Sequence, residues 1–290
     1  MNSVPYLFCN AVAGTLADID QLSNELEPAN HQGILLWKAA LTHHASNKQI
    51  FQLTVDFDRG TWYYSLTKAY RYYSIAEFKQ IKSKYVQIST VQFKSIGYYR
   101  STSNRQEIEE IIRYSVPFVN LANLDLDSQQ MADNDFYTMI RYFKNVQFKG
   151  ISVEHHRRCY EVVLKSRFQC GFMKTIRIEG FEWPKAFREV IKNVTLKKPF
   201  KAVDCHFSDL KFDKAFFEKF TEIDSSEEEH SFSGRFLFNF DELKDFRREL
   251  RMRTWDGKTM WRRRDGVRVQ FIISDRYRRE GIIRVFRKKN

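Results

Sequence analysis

Glycine and proline are scarce in this chain, 11 and 5 among 290 residues, and no closely spaced group of glycines occurs. That excludes the P-loop and the dinucleotide fingerprint, which need glycine-rich turns to bring backbone N–H groups onto a phosphate. The metalloprotease pair H-E-x-x-H, the nucleophile elbow G-x-S-x-G and the kinase signatures are missing as well. Cysteine is rare: Cys9, Cys159, Cys170 and Cys205 form no C-x-x-C pair, and each lies among apolar neighbours. Such spacing suits reduced, buried thiols, so neither a disulfide framework, a metal nor a cofactor is expected. No apolar run approaches the roughly 18 residues of a membrane span. The first residues also lack the basic-then-apolar layout of a secretory signal. The expectation is a soluble protein of the cytoplasm or nucleus that is not an enzyme.

Positive charge is plentiful but uneven. Of the net +12, the segment Asp241–Asn290 supplies +9, with 17 Lys or Arg against 8 Asp or Glu. Such a surface attracts acidic partners, nucleic acid or anionic lipid without choosing among them.

The first forty-odd residues read as helical, with Ser3 as a cap, Pro5 in a first turn, and Leu7, Val12, Leu16 and Ile19 at helical spacing. Phe51, Leu53, Val55 and Phe57 then alternate with polar residues, and after Asp58-Arg59-Gly60 the alternation resumes at Trp62, Tyr64 and Leu66, which predicts a β-hairpin. Ser74 with Glu77, and Ser103 with Gln106, read as capping boxes opening short helices.

From Leu121 to Ile223 the pattern apolar-x-x-apolar-x-apolar occurs four times: Leu121/Leu124/Leu126, Phe148/Ile151/Val153, Met173/Ile176/Ile178 and Phe200/Val203/Cys205. Between middle residues the steps are 27, 25 and 27 residues. A helix-period cluster follows each: Phe136/Met139/Ile140/Phe143, Tyr160/Val163/Leu164, Phe187/Val190/Ile191/Val194 and Phe216/Phe220/Ile223. Pro184 and Asp213 mark two of the helix starts. A strand reading L-x-x-L-x-L inside a unit of about 20 to 29 residues is the leucine-rich-repeat form, and such units must stack to bury their apolar faces. The predicted fold is therefore α/β: a short leucine-rich-repeat-like solenoid with a helical N-terminal head, a β-hairpin and a closing β-rich C-terminal segment. Asp125, Ser152, Arg177 and Asp204 fall at the solvent-facing strand positions and would line a concave, partner-binding face. Flanking units centre on Val86/Ile88 and Phe236/Phe238, and the acidic run from Asp224 to His230 reads as a solvated loop. The implied segments are 1–47 (head), 48–100 (hairpin and connection), 101–240 (repeat body) and 241–290 (basic cap).

In the cap, a helix with Leu243, Phe246 and Leu250 precedes turns at Asp256-Gly257 and Asp265-Gly266. Arg262, Arg263 and Arg264 form a basic patch there that reads as protection of an exposed strand edge. The pairs His43-His44 and His155-His156 lack a third ligand nearby in sequence and read as surface histidines. Trp183 beside Pro184, and Trp255 with Trp261, weigh as partner anchors against the commoner core duty. Tyr63-Tyr64, Tyr70, Tyr72-Tyr73 and Tyr98-Tyr99 beside Arg71 and Arg100 could stack single-stranded nucleic acid, although a packed β-surface is the plainer reading.

The segment Val4-Pro5-Tyr6-Leu7, the acidic-apolar stretch Ala17-Asp18-Ile19-Asp20-Gln21-Leu22 and Leu35-Leu36-Trp37-Lys38-Ala39-Ala40 together resemble an F-box head. With the repeats that follow, the order is similar to that of nematode F-box-like and FTH-type leucine-rich-repeat-like proteins. The resemblance implies that Pro5, Leu7, Ile19, Leu22 and Trp37 contact a Skp-type adaptor of an SCF-type ubiquitin ligase, while the repeat face holds a substrate protein. The alternative is a nucleic-acid or anionic-surface binder using the basic C-terminal region.

Overall fold

The computed structural model describes residues 32–94, 101–127, 131–155, 158–168, 172–197, 200–223, 229–238, 251–255, 258–273 and 280–286. Among these it is mixed α/β, with seven α-helices and fifteen strands. Contacts gather into two compact units: Met1–Ala122 with Gln130–Gln147, and Asn123–Gln129 with Phe148–Asn290. Of the head, only helix α1 (Gln32–Asn47) is described, so Pro5, Leu7, Ile19 and Leu22 lie outside the described residues.

In the first unit, β1 (Gln49–Asp58) and β2 (Thr61–Lys68) form the expected antiparallel hairpin, with Val55 opposite Tyr64. Its two-residue turn places Arg59 at φ 50° and Gly60 at φ 83°, the mirror-image turn that matches strand twist. A second tight turn into β3 (Arg71–Tyr73) has the same sign at Ala69 (φ 45°) and Tyr70 (φ 67°), without a glycine. Strand β4 (Val86–Lys94) runs parallel to β1, a pairing that needs the intervening helix α2 (Ile75–Gln80) and its flanking loops as a crossover. Ser74 caps α2 in a full capping box with Glu77. For α3 (Arg105–Ser115) the box is one residue later than predicted: Asn104 is the cap and Glu107 its partner. Ser103, the last residue of β5 (Ser101–Ser103), instead donates its hydroxyl to the Glu107 carboxylate, so an Asn took the role because its side chain reaches the N3 amide first. Phe93 meets Phe136 of α4 (Asp133–Ile140) and Phe143 edge-on, closing this core. Strand β6 (Val119–Asp127) contributes its first four residues here, including Leu121 at φ 45°. That left-handed leucine interrupts the alternation, so Val119 and Ala122 are buried while Leu121 is only half-buried, unlike Leu124 and Leu126.

In the second unit, β7 (Phe148–His155), β8 (Thr175–Gly180), β9 (Ala202–Asp204) and β11 (His230–Phe236) pair parallel in chain order. The ladder continues at their entries, where Lys174 N–H donates to Lys149 O, Ala202 N–H to Lys174 O and Ser231 N–H to Lys201 O. Helices α5 (Arg158–Arg167), α6 (Lys185–Lys197) and α7 (Lys214–Phe220) make the crossovers. The residues Phe148/Ile151/Val153, Met173/Ile176/Ile178 and Phe200/Val203/Cys205 are all buried to within 3% exposure. Tyr160, Leu164, Phe187, Ile191, Phe216 and Phe220 are buried with them. Lys185 opens α6 directly after Pro184, whose carbonyl accepts from Phe187 N–H, and Asp213 caps α7 by accepting from Phe216 N–H. The fourth of these parallel strands, β11, aligns Phe232, not Phe236, with Val203. His230 belongs to it, buried with Nδ1 on Phe200 O, so the predicted acidic loop stops before it.

Past β11 the sheet becomes antiparallel. Strand β15 (Glu280–Phe286) pairs β11, then β14 (Arg268–Ile273), β13 (Lys258–Arg262) and β12 (Arg251–Trp255) follow outward; the short β10 (Lys211–Phe212) also pairs β11. Phe217 touches Phe271 and Trp261 at ring-centroid distances of 5.4 and 6.3 Å, and Phe232 touches Phe212 and Phe216 at 4.7 and 4.8 Å. Gly281 is there because Phe271 lies over it: a Cβ would come within 2.7 Å of that ring. The predicted helix around Leu243 and the Asp256-Gly257 turn lie outside the described residues.

Candidate functional site

Strand alternation decides what the second unit shows to solvent. Between the buried members of each triplet stand Asp125, Ser152, Arg177 and Asp204, none of them buried. Ser152, Arg177, Asp204 and Ser233 are direct cross-strand partners in one row. Ser233 Oγ donates to Asp204 Oδ1 at 2.5 Å, and the same oxygen accepts from His206 N–H at 3.0 Å. These bonds pin the Asp204 carboxylate at the strand end. Arg177 pairs with Glu179, two residues along on the same face, and its guanidinium lies 6.0 Å from the centre of the Phe207 ring.

The strand ends present two large apolar side chains. Gly180 (φ 86°) donates its N–H to Phe207 O at 3.0 Å, and Asp209 N–H returns to Gly180 O. Asp209 holds the next residues with its carboxylate, accepting from Glu182 N–H at 2.8 Å and Trp183 N–H at 3.4 Å, which sustains φ 67° at Glu182. Within this frame Phe181 is 64% and Phe207 57% exposed. Neither is singled out by the sequence reading; a Phe just beyond a triplet and its turn is the available signal. Trp183, by contrast, has core duty: it is buried, stacks on Phe187 at 4.6 Å and donates its indole N–H to Glu179 O.

Upstream on the same face Gly150 separates Asn123 from Thr175: a Cβ there would fall 2.5 Å from Asn123 Oδ1 and 2.4 Å from Thr175 Oγ1. Glycine lets the two polar side chains close over the backbone. Cys205 points the other way. Burial, with the Asp204 charge beside it, pushes its thiol well above the ordinary range, so it packs as a small apolar group and is the reverse of an activated nucleophile. The arrangement offers donors, acceptors, one exposed arginine and two aromatic faces, which is equipment for holding a ligand.

The remaining expected residues scatter. Trp37 is half-buried on α1. His43 hydrogen-bonds the Tyr85 hydroxyl through Nε2 at 2.8 Å, and His44, expected on the surface, is 5% exposed because it sits on the helix face that meets Tyr85. Arg262, Arg263 and Arg264 do not form one patch. Arg262 is exposed on β13, Arg263 turns inward to donate to Thr221 O, Ile223 O (2.7 Å) and Asp265, and Arg264 is exposed in the turn. Nor do they guard an edge, since β13 is paired on both sides. Among the described residues no three His, Cys, Asp or Glu side chains converge as metal ligands, and no helix is long and apolar enough to cross a membrane. Compared with known protein families, curated proteins and solved structures, the chain finds no match.

Proposed function

We propose that this chain is a non-enzymatic protein-interaction protein that receives a protein partner on the open face of its second unit. The observation that carries the reading is the in-register row Ser152–Arg177–Asp204 bordered by the exposed Phe181 and Phe207. Arginine and aromatic side chains dominate binding energy at protein interfaces, and accessible apolar groups beside anchored polar ones fit that use. Parallel strands paired in chain order, 25 to 27 residues apart, with one covered and one open face, support reading this unit as a short leucine-rich-repeat-like solenoid. On the resemblance of the head, the chain would serve as an F-box-like substrate-recognition subunit of an SCF-type ubiquitin ligase, with Pro5, Leu7, Ile19, Leu22 and Trp37 toward a Skp-type adaptor.

Affinity purification of the tagged full chain with partners identified by mass spectrometry tests both levels. Arg177→Glu with Phe207→Ser is expected to lower capture of the main partner at least tenfold while the melting temperature holds. Undiminished capture would sink the open-face reading. The adaptor version requires a Skp-type protein among the partners, lost on Leu7→Asp with Leu22→Asp; its absence with the intact head removes that version and leaves the face reading standing.

A further inference from the structure

The antiparallel end of the second unit continues the open face, since Ser233 stands opposite Ile282, but carries different side chains on it. Along β13, β14 and β15 the buried face is Trp261, Val269, Phe271, Ile283 and Val285. The other face therefore carries the alternate residues, and the register sets them side by side: Lys258 with Ile272 and Ile282, Met260 with Gln270 and Arg284, Arg262 with Arg268 and Phe286. Four cations thus share one sheet face within three neighbouring strands.

Two of them are directly opposed. Arg262 and Arg268 are cross-strand partners, a like-charge arrangement that destabilises a sheet. Among the described residues neither has an anionic partner, nor does Lys258; Arg284 alone has one, Glu229 at 3.8 Å. A cost of this kind, unrelieved among the described residues, can be relieved by an anion from outside.

We propose that this face binds the phosphate backbone of single-stranded nucleic acid. Three of the four cations are arginines, whose planar fork grips phosphate with two bonds and stacks on bases. Phe286 and Met260 lie between them, half-buried on the same face, so flat apolar surface alternates with charge as single-strand platforms require. An acidic peptide fits less well, because β13, β14 and β15 are each paired on both sides and offer no free backbone for strand addition. A lipid surface fits less well too, because among the described residues none of the large exposed hydrophobic side chains falls between Lys258 and Phe286. The cations lie on the same sheet face as Arg177, further along the row that runs from Asp204 through Ser233, Ile282 and Ile272 to Lys258, but they are different side chains, and neither reading needs the other.

The test is fluorescence anisotropy of a labelled oligo(dT) of about 20 nucleotides titrated with the full chain. With a salt exponent of about −0.7 per neutralised phosphate, four contacts predict an affinity loss of about 50-fold between about 50 and 200 mM salt. Arg262→Gln with Arg268→Gln should halve the exponent, leaving a loss of about 7-fold, and weaken binding at least tenfold at the lower salt. Lys149→Gln with Lys201→Gln, cations elsewhere in the unit, should stay within twofold of the parent. Arg268→Gln alone, which ends the opposed pair, serves if the double variant melts early, and should lower the exponent by about 0.7. No binding at low salt, or binding indifferent to these arginines, overturns the proposal. So does displacement of the oligonucleotide by polyglutamate at equal charge, which would make the partner an acidic protein, or equal variant-sensitive binding to phosphatidylserine vesicles.

Discussion

The parallel and antiparallel parts of the second unit are built on one buried layer of phenylalanine and branched aliphatics, yet their open faces differ in sign. On β7, β8 and β9 the charged accessible side chains include Glu154, Glu179 and Asp204 around Arg177; on β13, β14 and β15 they include Lys258, Arg262, Arg268 and Arg284. Their connections explain the contrast in how each part is held. Parallel neighbours need a helix between them, so successive parallel strands are joined through α5, α6 and α7, whereas antiparallel strands can be joined by a short turn, as β13 and β14 are between Arg263 and Val267. Cover for the antiparallel part comes from α7, through Phe217 on Phe271 and Trp261.

That dependence is the first place to break the comparison. Phe217→Ala should cost about 3 to 5 kcal/mol, because one fully buried ring serves the helix and the antiparallel strands together. Ile176→Val, deep in the parallel part, should cost about 0.5 to 1.5 kcal/mol. Urea unfolding of both variants checks the order, and equal losses would mean that the antiparallel strands have another support. Gly281→Val comes next, at about 1 to 3 kcal/mol, since the added atoms meet the Phe271 ring; Gly60→Ala, in open space at φ 83°, should lose less. Smaller again is Asp213→Ala, at about 1 kcal/mol for the lost cap.

Asp213 also predicts a pH dependence. Burial raises its pKa, but the Lys192 ammonium at 2.5 Å and the Phe216 N–H outweigh this and hold the carboxyl below its ordinary value. A depressed folded pKa gives stability that is full above the ordinary carboxylate range and lost as the pH falls through the folded value. Parent and Asp213→Asn should therefore converge in stability on acidification, as thermal melts at neutral and acidic pH can show. The least affected variant should be Ser152→Ala, within about 0.5 kcal/mol, on the accessible face.

The sequence made the parallel layers legible because their spacing reports packing directly: a buried residue at every second strand position leaves a period that no local choice disguises. Phe148/Ile151/Val153 and its two successors are buried as that period requires. What escaped depends on contacts distant in sequence. Nothing near His44 announces Tyr85, 41 positions away, and nothing near Arg263 announces the carbonyls of Thr221 and Ile223. The three consecutive arginines looked like one feature, but a turn sends successive side chains different ways. On the candidate face, Arg177 and Asp204 follow from periodicity, while Phe181 and Phe207 come together only through the Gly180–Phe207 backbone bond.

The glycine-free turn at Ala69-Tyr70 shows where the first unit is open to improvement. Both residues take left-handed dihedrals, which cost roughly 1 kcal/mol or more for side chains other than glycine and asparagine, and the Tyr70 side chain is wholly in water. No packing is returned for that strain. An Asn-Gly replacement should hold the hairpin in the same register while raising its stability, which makes this tip a convenient graft point for a tag or probe.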